Sequence, residues 1–368
     1  MKLGLLTFHT AANYGAALQA YAFQKFLTDR GFDCEYINYV NASRAHEYSM
    51  SWHIWDSLRR GKVTSAAAYL AGSPFMTLRK WRFNRFYDQY LRKTEKVYHS
   101  SAEAAELNGV YDYFVVGSDQ VWHPVINEGD DAYFLADVPD GVKRISYAPS
   151  FGVDEFDQKL EQKMAGWLAR FDALSVREPQ GAEIVKRHCG RDAAVVCDPT
   201  LLLKRADYEV IERAPRFGLP KKYIAVYTVC GHPWAESAAI GLGKKMGLPV
   251  VHLPGGQLAR WYLPGKAKRV TALGPAEWLW FIHHAEYVVT NSFHGTVFSL
   301  VYHRPFTVAL NGRASDARML SLLDSIGLND RVGYANRAVD GEIDWAEVDA
   351  RKGCLTNVGE GYLKGAIE

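Results

Sequence analysis

Cysteine is scarce in this sequence. Cys34, Cys189, Cys197, Cys230 and Cys354 are the only five in 368 residues. They are odd in number and never spaced as a Cys-x-x-Cys pair, which argues against a disulfide framework and fits reduced thiols in a cytosolic protein. Long apolar runs are also missing. No stretch is long enough to span a bilayer, and Lys2 to Phe8 is a short apolar run without the core or cleavage site of a signal peptide. The expected location is the cytoplasm, with peripheral association at the inner face of the membrane as the one membrane role left open. An excess of charge is absent too, since a formal net charge of +2 gives no overall field that would mark nucleic acid or membrane as the partner.

Several chemical signatures are lacking as well. No Gly-x-x-x-x-Gly-Lys loop or Gly-x-Gly-x-x-Gly fingerprint follows a strand, so neither P-loop nor dinucleotide binding is supported. Gly117-Ser118-Asp119-Gln120-Val121 lacks the second glycine of a nucleophile elbow, which disfavours a serine hydrolase. Pro254-Gly255-Gly256 reads as a turn. His283, His284 and Glu286 hint at metal, but adjacent helical positions point about 100° apart and no second ligand pair follows. No metal and no cofactor are expected.

What is present is the grammar of an α/β enzyme. Apolar residues make up 48% and charged residues 23%, which is enough to build a substantial core, and the length suits two domains. Strands are expected over 2–8, 34–39, 111–116, 143–148, 173–176 and 193–196, with helices over 16–30, 156–171 and 180–188. After a linker at Pro215 to Pro220 the pattern restarts, with strands over 223–229, 250–253, 287–290 and 306–310 and helices over 234–246, 275–284, 295–302 and 315–326. Alternation of this kind predicts mainly parallel sheets. The expected organisation is an α/β domain over 1–214, a second over 220–326 facing it across a cleft, and a tail over 327–368 that periodicity does not place. Residues 78–96 interleave Arg79, Lys80, Arg82, Arg85, Arg92, Lys93 and Lys96 with Trp81, Phe83, Phe86, Tyr87 and Tyr90. Such a segment suits nucleic acid or an amphipathic helix with Phe83, Phe86, Tyr87 and Tyr90 against the core and its charges in solvent. The balanced overall charge favours the helix.

Four polar segments fall at the C-terminal ends of expected strands, where open α/β sheets place their ligand crevices. They are His9 to Gly15, Gly117 to Trp122, Arg177 to Gln180 and Asn291 to Gly295. Each has a bland reading: Asn13 and Gly15 could form a tight turn, and Ser118 with Asp119 could cap a helix. Their convergence on one edge of each domain is what solvated loops would not produce. Asn291-Ser292-Phe293-His294-Gly295 sits between a strand and a helix, where backbone N–H groups form an anion site. Ser292 can cap, Gly295 permits close backbone approach, and His294 is placed to touch whatever the helix start binds.

These segments carry a resemblance. Thr7-Phe8-His9 through Asn13-Tyr14-Gly15-Ala16 with Leu18-Gln19-Ala20-Tyr21, Val116-Gly117-Ser118-Asp119-Gln120-Val121-Trp122 and Ser146-Tyr147-Ala148-Pro149-Ser150-Phe151-Gly152 resemble the polysaccharide pyruvyl transferase family. So do Ser175-Val176-Arg177-Glu178, Asp198-Pro199-Thr200-Leu201-Leu202 and Thr290-Asn291-Ser292-Phe293-His294-Gly295 with Phe298-Ser299. The resemblance runs from the first strand to about Ile326. It implies a fold like the two-domain GT-B glycosyltransferases, phosphoenolpyruvate as donor substrate, and a hydroxyl pair on a sugar of a bacterial surface polysaccharide, or its lipid-linked precursor, as acceptor. It carries over His294 as the active-site histidine. Arg313 and Arg318 are the positional candidates for the basic residues that grip the donor, beside Ser292 and Gly295.

The chemistry agrees with these residue types. Ketal formation needs C3 of phosphoenolpyruvate protonated as one sugar hydroxyl attacks C2, after which phosphate leaves and the second hydroxyl adds. That requires an acid, a base and an anion clamp. Arg177 and Arg313 suit the donor's carboxylate and phosphate, and Asp119 or Asp198 suits the base, each with an equal claim to be a turn or cap residue. The acceptor side would comprise His9, Asn13, Tyr14, Gly15 and Trp122. A helix start disfavours imidazolium whereas a bound dianion favours it, so His294 is either the acid or a donor ligand only. The competing readings are a GT-B-like glycosyltransferase using a nucleotide sugar, which would need a base and ribose pocket in the second domain, and a non-catalytic glycan-binding protein. The latter would use the abundant aromatic residues as stacking platforms but would not need His294, Asp119 and Arg177 on one rim.

Overall fold

The computed structural model describes residues 1–41, 50–153, 156, 158–229, 231–255, 267–334 and 337–367; Cys230 and Gly256 lie outside them. In the first half, β1 (Lys2–Leu6), β2 (Asp33–Tyr36), β3 (Tyr113–Val116) and β4 (Lys143–Ser146) form a parallel sheet in the order β2-β1-β3-β4. A short parallel pair, β5 (Ser175–Val176) and β6 (Ala194–Val195), extends it through a bridge between Ile145 and Ala173. In the second half, β7 (Ile224–Thr228), β8 (Val250–Pro254), β9 (Lys268–Arg269), β10 (Tyr287–Thr290) and β11 (Phe306–Val308) form a parallel sheet ordered β11-β10-β7-β8-β9. The central strands β7 and β10 are buried along their whole length, as parallel strands covered by helices on both faces must be.

This topology fixes where a ligand can sit. In the first sheet the direction of winding reverses between β1 and β3, and in the second between β7 and β10. Open sheets of this kind leave a crevice beyond the C-terminal ends of the strands at such a reversal. The loops that follow β1 and β3 carry Asn13 and Asp119, and those that follow β7 and β10 carry Val229, Asn291 and Ser292. All five line one cleft.

The halves are joined by packing as well as by the segment 210–223. Tyr14, at the start of the helix Tyr14–Asp29, donates its hydroxyl to the Leu273 carbonyl at 2.9 Å and stacks on Trp278 at 5.4 Å. The tail that periodicity left unplaced forms the helix Trp345–Ile367 and acts as a strap. His303 stacks on Trp345 at its start. At its end Tyr362 donates to the Ser146 carbonyl at 2.8 Å, and the Tyr113 hydroxyl donates to the Ile367 carbonyl at 3.0 Å. Its buried residues, Val348, Gly359, Leu363 and Ile367, fall within an arc of about 100° at 100° per residue, one face that meets the second half at its start and the first half at its end.

The basic and aromatic segment is helical over Val63–Tyr90, and residues 91–99 continue as extended chain bridged to Tyr36 and Tyr39. Phe83, Phe86 and Tyr87 are buried as expected. Arg79 is not solvated: it is buried and donates to the carbonyls of Ala12 and Gly255 at 2.9 and 2.8 Å, fastening this helix to loops of both halves.

Candidate active site

The second-half wall is built by the turn after β10. Ser292 caps the helix Phe293–Val301, accepting the Gly295 N–H at 3.2 Å, so the helix begins two residues earlier than its apolar pattern indicates. Thr290 Oγ1 donates to the Tyr227 carbonyl at 2.7 Å and accepts the Ser292 N–H at 3.1 Å. A Cβ on residue 295 would lie 2.3 Å from that Oγ1, so the turn requires glycine for close approach. With the third amide used by Ser292, the amides of Phe293 and His294 are those a helix start leaves for an external acceptor.

His294 is held from two sides. A Cβ on Gly15 would sit 2.0 Å from its Nδ1, so the ring lies directly against the backbone of the helix Tyr14–Asp29. On the other side its Nε2 is 3.5 Å from Asp198 Oδ2, a charge contact longer than a hydrogen bond. Asp198 is fully buried and saturated. It accepts from Arg177 Nη1 at 2.8 Å and from the Thr200 N–H and hydroxyl at 3.0 and 2.6 Å, and Ser118 Oγ lies 3.1 Å away. Burial pushes its carboxyl up, but the charge of His294, then that of Arg177, together with these hydrogen bonds outweighs burial and holds it well below the usual carboxylate range. Burial alone would lower Arg177; the charges of Asp198 and Glu178 instead raise it. Its guanidinium also lies 4.6 Å over the Phe293 ring, and its Nε and Nη2 make no hydrogen bond.

The outer wall is open to solvent. A cleft of 480 Å³ is lined by Asn13, Asp119, Ser292, His294, Arg313 and Arg318 among others. Asn13 caps the helix Tyr14–Asp29 by accepting from the Ala16 N–H at 3.3 Å, so a second helix start faces the same space. Asp119 adopts φ 73°, a left-handed conformation that is uncommon away from glycine and concentrates at functional sites. Arg313 is exposed at the rim. Arg318 is half-buried, and burial together with repulsion from Arg177 brings it down to about 10, which still leaves it cationic at neutral pH. The Phe293 ring is near both guanidiniums, with that of Arg318 5.9 Å from its centroid.

The profile of the polysaccharide pyruvyl transferase family matches residues 13–312. The chain belongs to this family. Among curated proteins no match was found. Solved structures of similar fold include the UDP-GlcNAc 2-epimerase of Neisseria meningitidis bound to UDP-GlcNAc, with 11% identity, 100% of this chain and 94% of that chain covered, and a TM-score of 0.52. The UDP-GlcNAc 2-epimerase of Methanocaldococcus jannaschii has 11% identity, 97% and 93% coverage and a TM-score of 0.51. The UDP-N-acetylglucosamine 2-epimerase of Rickettsia bellii has 10% identity, 99% and 95% coverage and a TM-score of 0.51. At such identities the likeness is one of fold, the two-domain GT-B-like arrangement.

In this pyruvyl transferase family member, four residues expected on the acceptor side do not line the cleft: Gly15 backs the ring of His294, and three others lie elsewhere. His9 is buried and stacks on Tyr36, with its ring nitrogens at the Thr7 carbonyl and Asn38 Oδ1; burial lowers its pKa. Tyr14 spends its hydroxyl on the contact between halves. Trp122 is buried against Phe134 and donates its indole N–H to the Tyr133 carbonyl at 2.9 Å. Each is a large ring whose polar atom closes a backbone group, and none lines the cleft. Arg177 and Asp198 lie behind the cleft wall. Glu286 pairs with Lys222 at 3.6 Å, while His283 pairs with Glu212 at 2.9 Å and faces Arg205 through its other nitrogen.

The cleft also contains Gln120 and Asn291, which stand in the polar segments singled out above without a role of their own, and His123 and Asn311, which the sequence did not single out. His123 Nδ1 accepts the N–H groups of Val125 and Ile126 at 3.2 and 3.4 Å, which turns Nε2 into a donor, and burial and then Arg318 keep the ring below its ordinary pKa. Its position directly after Trp122 was the available signal. Asn291 accepts the Val229 N–H at 2.8 Å and donates to Asn311 Oδ1 at 3.0 Å, linking the loops after β7, β10 and β11. Among the described residues no helix is long and apolar enough to cross a membrane.

Proposed function

We propose that this protein moves the enolpyruvyl group of phosphoenolpyruvate onto a hydroxyl pair of a sugar in a bacterial surface polysaccharide or its lipid-linked precursor, forming a pyruvate ketal and releasing phosphate. The reading is carried by one observation: His294, wedged between the Gly15 backbone and Asp198, opens at a helix start onto a cleft that also holds Arg313 and Arg318. The donor's carboxylate and phosphate need cations and free amides, and family membership supports that donor.

In this scheme Arg318, Arg313 and the first amides of the helix Phe293–Val301 hold the donor. His294 delivers a proton to C3 while the first hydroxyl bonds to C2. The C2–O bond to phosphate then breaks, and the second hydroxyl closes the ketal. One hydroxyl proton replaces the one taken from His294 and the other leaves with phosphate. Asp119 in the cleft is the base. Asp198, saturated and buried, is a positioning residue that fixes the ring of His294, and Arg177 neutralises it. The acceptor enters past Asn13, Gln120 and His123.

The test is to incubate the protein with phosphoenolpyruvate and a panel of lipid-linked or synthetic sugars, following phosphate release and product mass. Release that requires both donor and acceptor, with a product heavier by a pyruvate ketal, is expected. Consumption of a UDP-sugar with no phosphoenolpyruvate turnover would replace this reading with a nucleotide-sugar enzyme.

A further inference from the structure

The helix Val63–Tyr90 has two apolar faces. Gly72, Arg79, Phe83 and Phe86 are buried on one. On the opposite side, Val63, Leu70, Leu78 and Trp81 fall within an arc of about 80° at 100° per residue, and they are 65, 64, 40 and 54% exposed. The neighbouring helix Met50–Arg59 adds Trp55 and Leu58, also exposed. Scattered exposed apolar residues need no explanation, but a stripe along a helical hairpin marks a surface that meets something apolar.

The charge around the stripe says what. The chain as a whole nearly balances, with 43 Lys and Arg against 41 Asp and Glu. Residues 50–90 instead hold seven Lys and Arg against Asp56 and Asp88 alone, and both acids are engaged, with Arg60 at 2.9 Å and Lys93 at 2.7 Å. Arg59 lies 5.3 Å over Trp55 and Arg85 5.5 Å over Trp81, so cations are held on aromatic faces beside the stripe. A groove of 210 Å³ next to Trp81 is lined by Arg82, Arg85, Arg213 and Arg216 against one carboxylate, Glu277, which lies 3.8 Å from Arg82, a slot of net positive charge at the edge of an apolar face. Apolar and aromatic side chains flanked by Lys and Arg on a helix lying flat are the recognition chemistry of an anionic bilayer surface.

We infer that this hairpin docks the protein on a membrane containing anionic phospholipid, with the stripe in the interfacial layer and the basic groove on headgroup phosphates. Docking does not depend on the reaction proposed above. It would bring the enzyme to the surface where a lipid-linked acceptor resides.

The experiment is co-sedimentation of the full chain with phosphatidylcholine vesicles with and without phosphatidylglycerol, paired with light scattering. Retention by the anionic vesicles, weak retention by pure phosphatidylcholine and loss of retention at high salt are expected. Leu70→Ser/Leu78→Ser/Trp81→Ser and Lys80→Glu/Arg85→Glu should each weaken binding at least about tenfold. The second variant alters only exposed charges and keeps the test valid if the first misfolds. Wild type that remains free of both vesicles, or charge-reversed protein that binds like wild type, overturns the proposal. A dimer that the apolar variant dissociates, with no vesicle retention, would assign the face to a second copy of the chain, and retention on single-stranded RNA alone would assign it to nucleic acid.

Discussion

The floor and the outer wall of the cleft carry the same kinds of residue and are built in opposite ways. On the floor, the side chains of Asp198 and Arg177 are 0 and 2% exposed and lie 2.8 Å apart, and the aspartate has a protein partner for each oxygen. On the wall, Asp119, Arg313 and Arg318 face open space. A carboxylate held ionised by buried partners is a poor proton acceptor, and a guanidinium paired with it behind the cleft wall is kept out of the cleft itself. In the scheme proposed above, positioning belongs to the floor and chemistry to the wall, with His294 as the residue that touches both.

The largest effect expected is on the floor. Asp198→Asn leaves Arg177 buried beside a neutral group, and breaking one side of a buried pair costs roughly 3–5 kcal/mol, to be read by chemical denaturation at neutral pH. Folding depresses the Asp198 pKa, so its contribution is complete above the ordinary aspartate value of 3.8 and is lost as pH falls below it. The stability gap between wild type and Asp198→Asn should therefore be constant near neutrality and narrow below about pH 4. A gap that does not change with acid would mean that the floor is not an ion pair.

Next come the residues proposed to react. His294→Ala should retain its melting temperature and lose turnover by a factor of about 100 or more if the ring is the acid, or show a raised donor KM and a smaller loss if it only binds. Asp119→Asn should likewise keep its fold and donor binding while losing about 100-fold in turnover. Wild-type rates in both would erase the distinction between floor and wall.

A smaller effect separates seating from chemistry. Alanine at a helical glycine ordinarily stabilises by up to about 1 kcal/mol, yet at Gly15 the added carbon meets His294 Nδ1 at 2.0 Å. Gly15→Ala should remain folded and lose about tenfold in kcat with the ring displaced; unchanged kcat would show that the ring is not seated there.

Much of this architecture was legible because parallel α/β units announce themselves. Buried strands such as Tyr287–Thr290 are short unbroken apolar runs, and polar turns at their C-terminal ends are where crevices form. That logic placed His294, Ser292, Asn13 and Asp119 around one space. It failed where one residue type serves two purposes. His9, Tyr14 and Trp122 stand in the same motifs, but a ring that packs and closes a backbone hydrogen bond looks in sequence like a ring that meets a ligand. The helix Val63–Tyr90 escaped full description because it presents apolar residues to more than one surface, which cancels the amphipathic period, and Trp345–Ile367 because Gly353, Gly359, Gly361 and Gly365 dilute its one apolar stripe. His123 and Asn311 lie outside the polar segments and reach the cleft through loop geometry alone.

The most direct measurement is calorimetric titration of the wild-type protein with phosphoenolpyruvate and, separately, with UDP-GlcNAc. The account predicts saturable binding of phosphoenolpyruvate at one site per chain, weakened in Arg318→Ala and His294→Ala, and no heat with UDP-GlcNAc. Saturable binding of UDP-GlcNAc with none of phosphoenolpyruvate would contradict it.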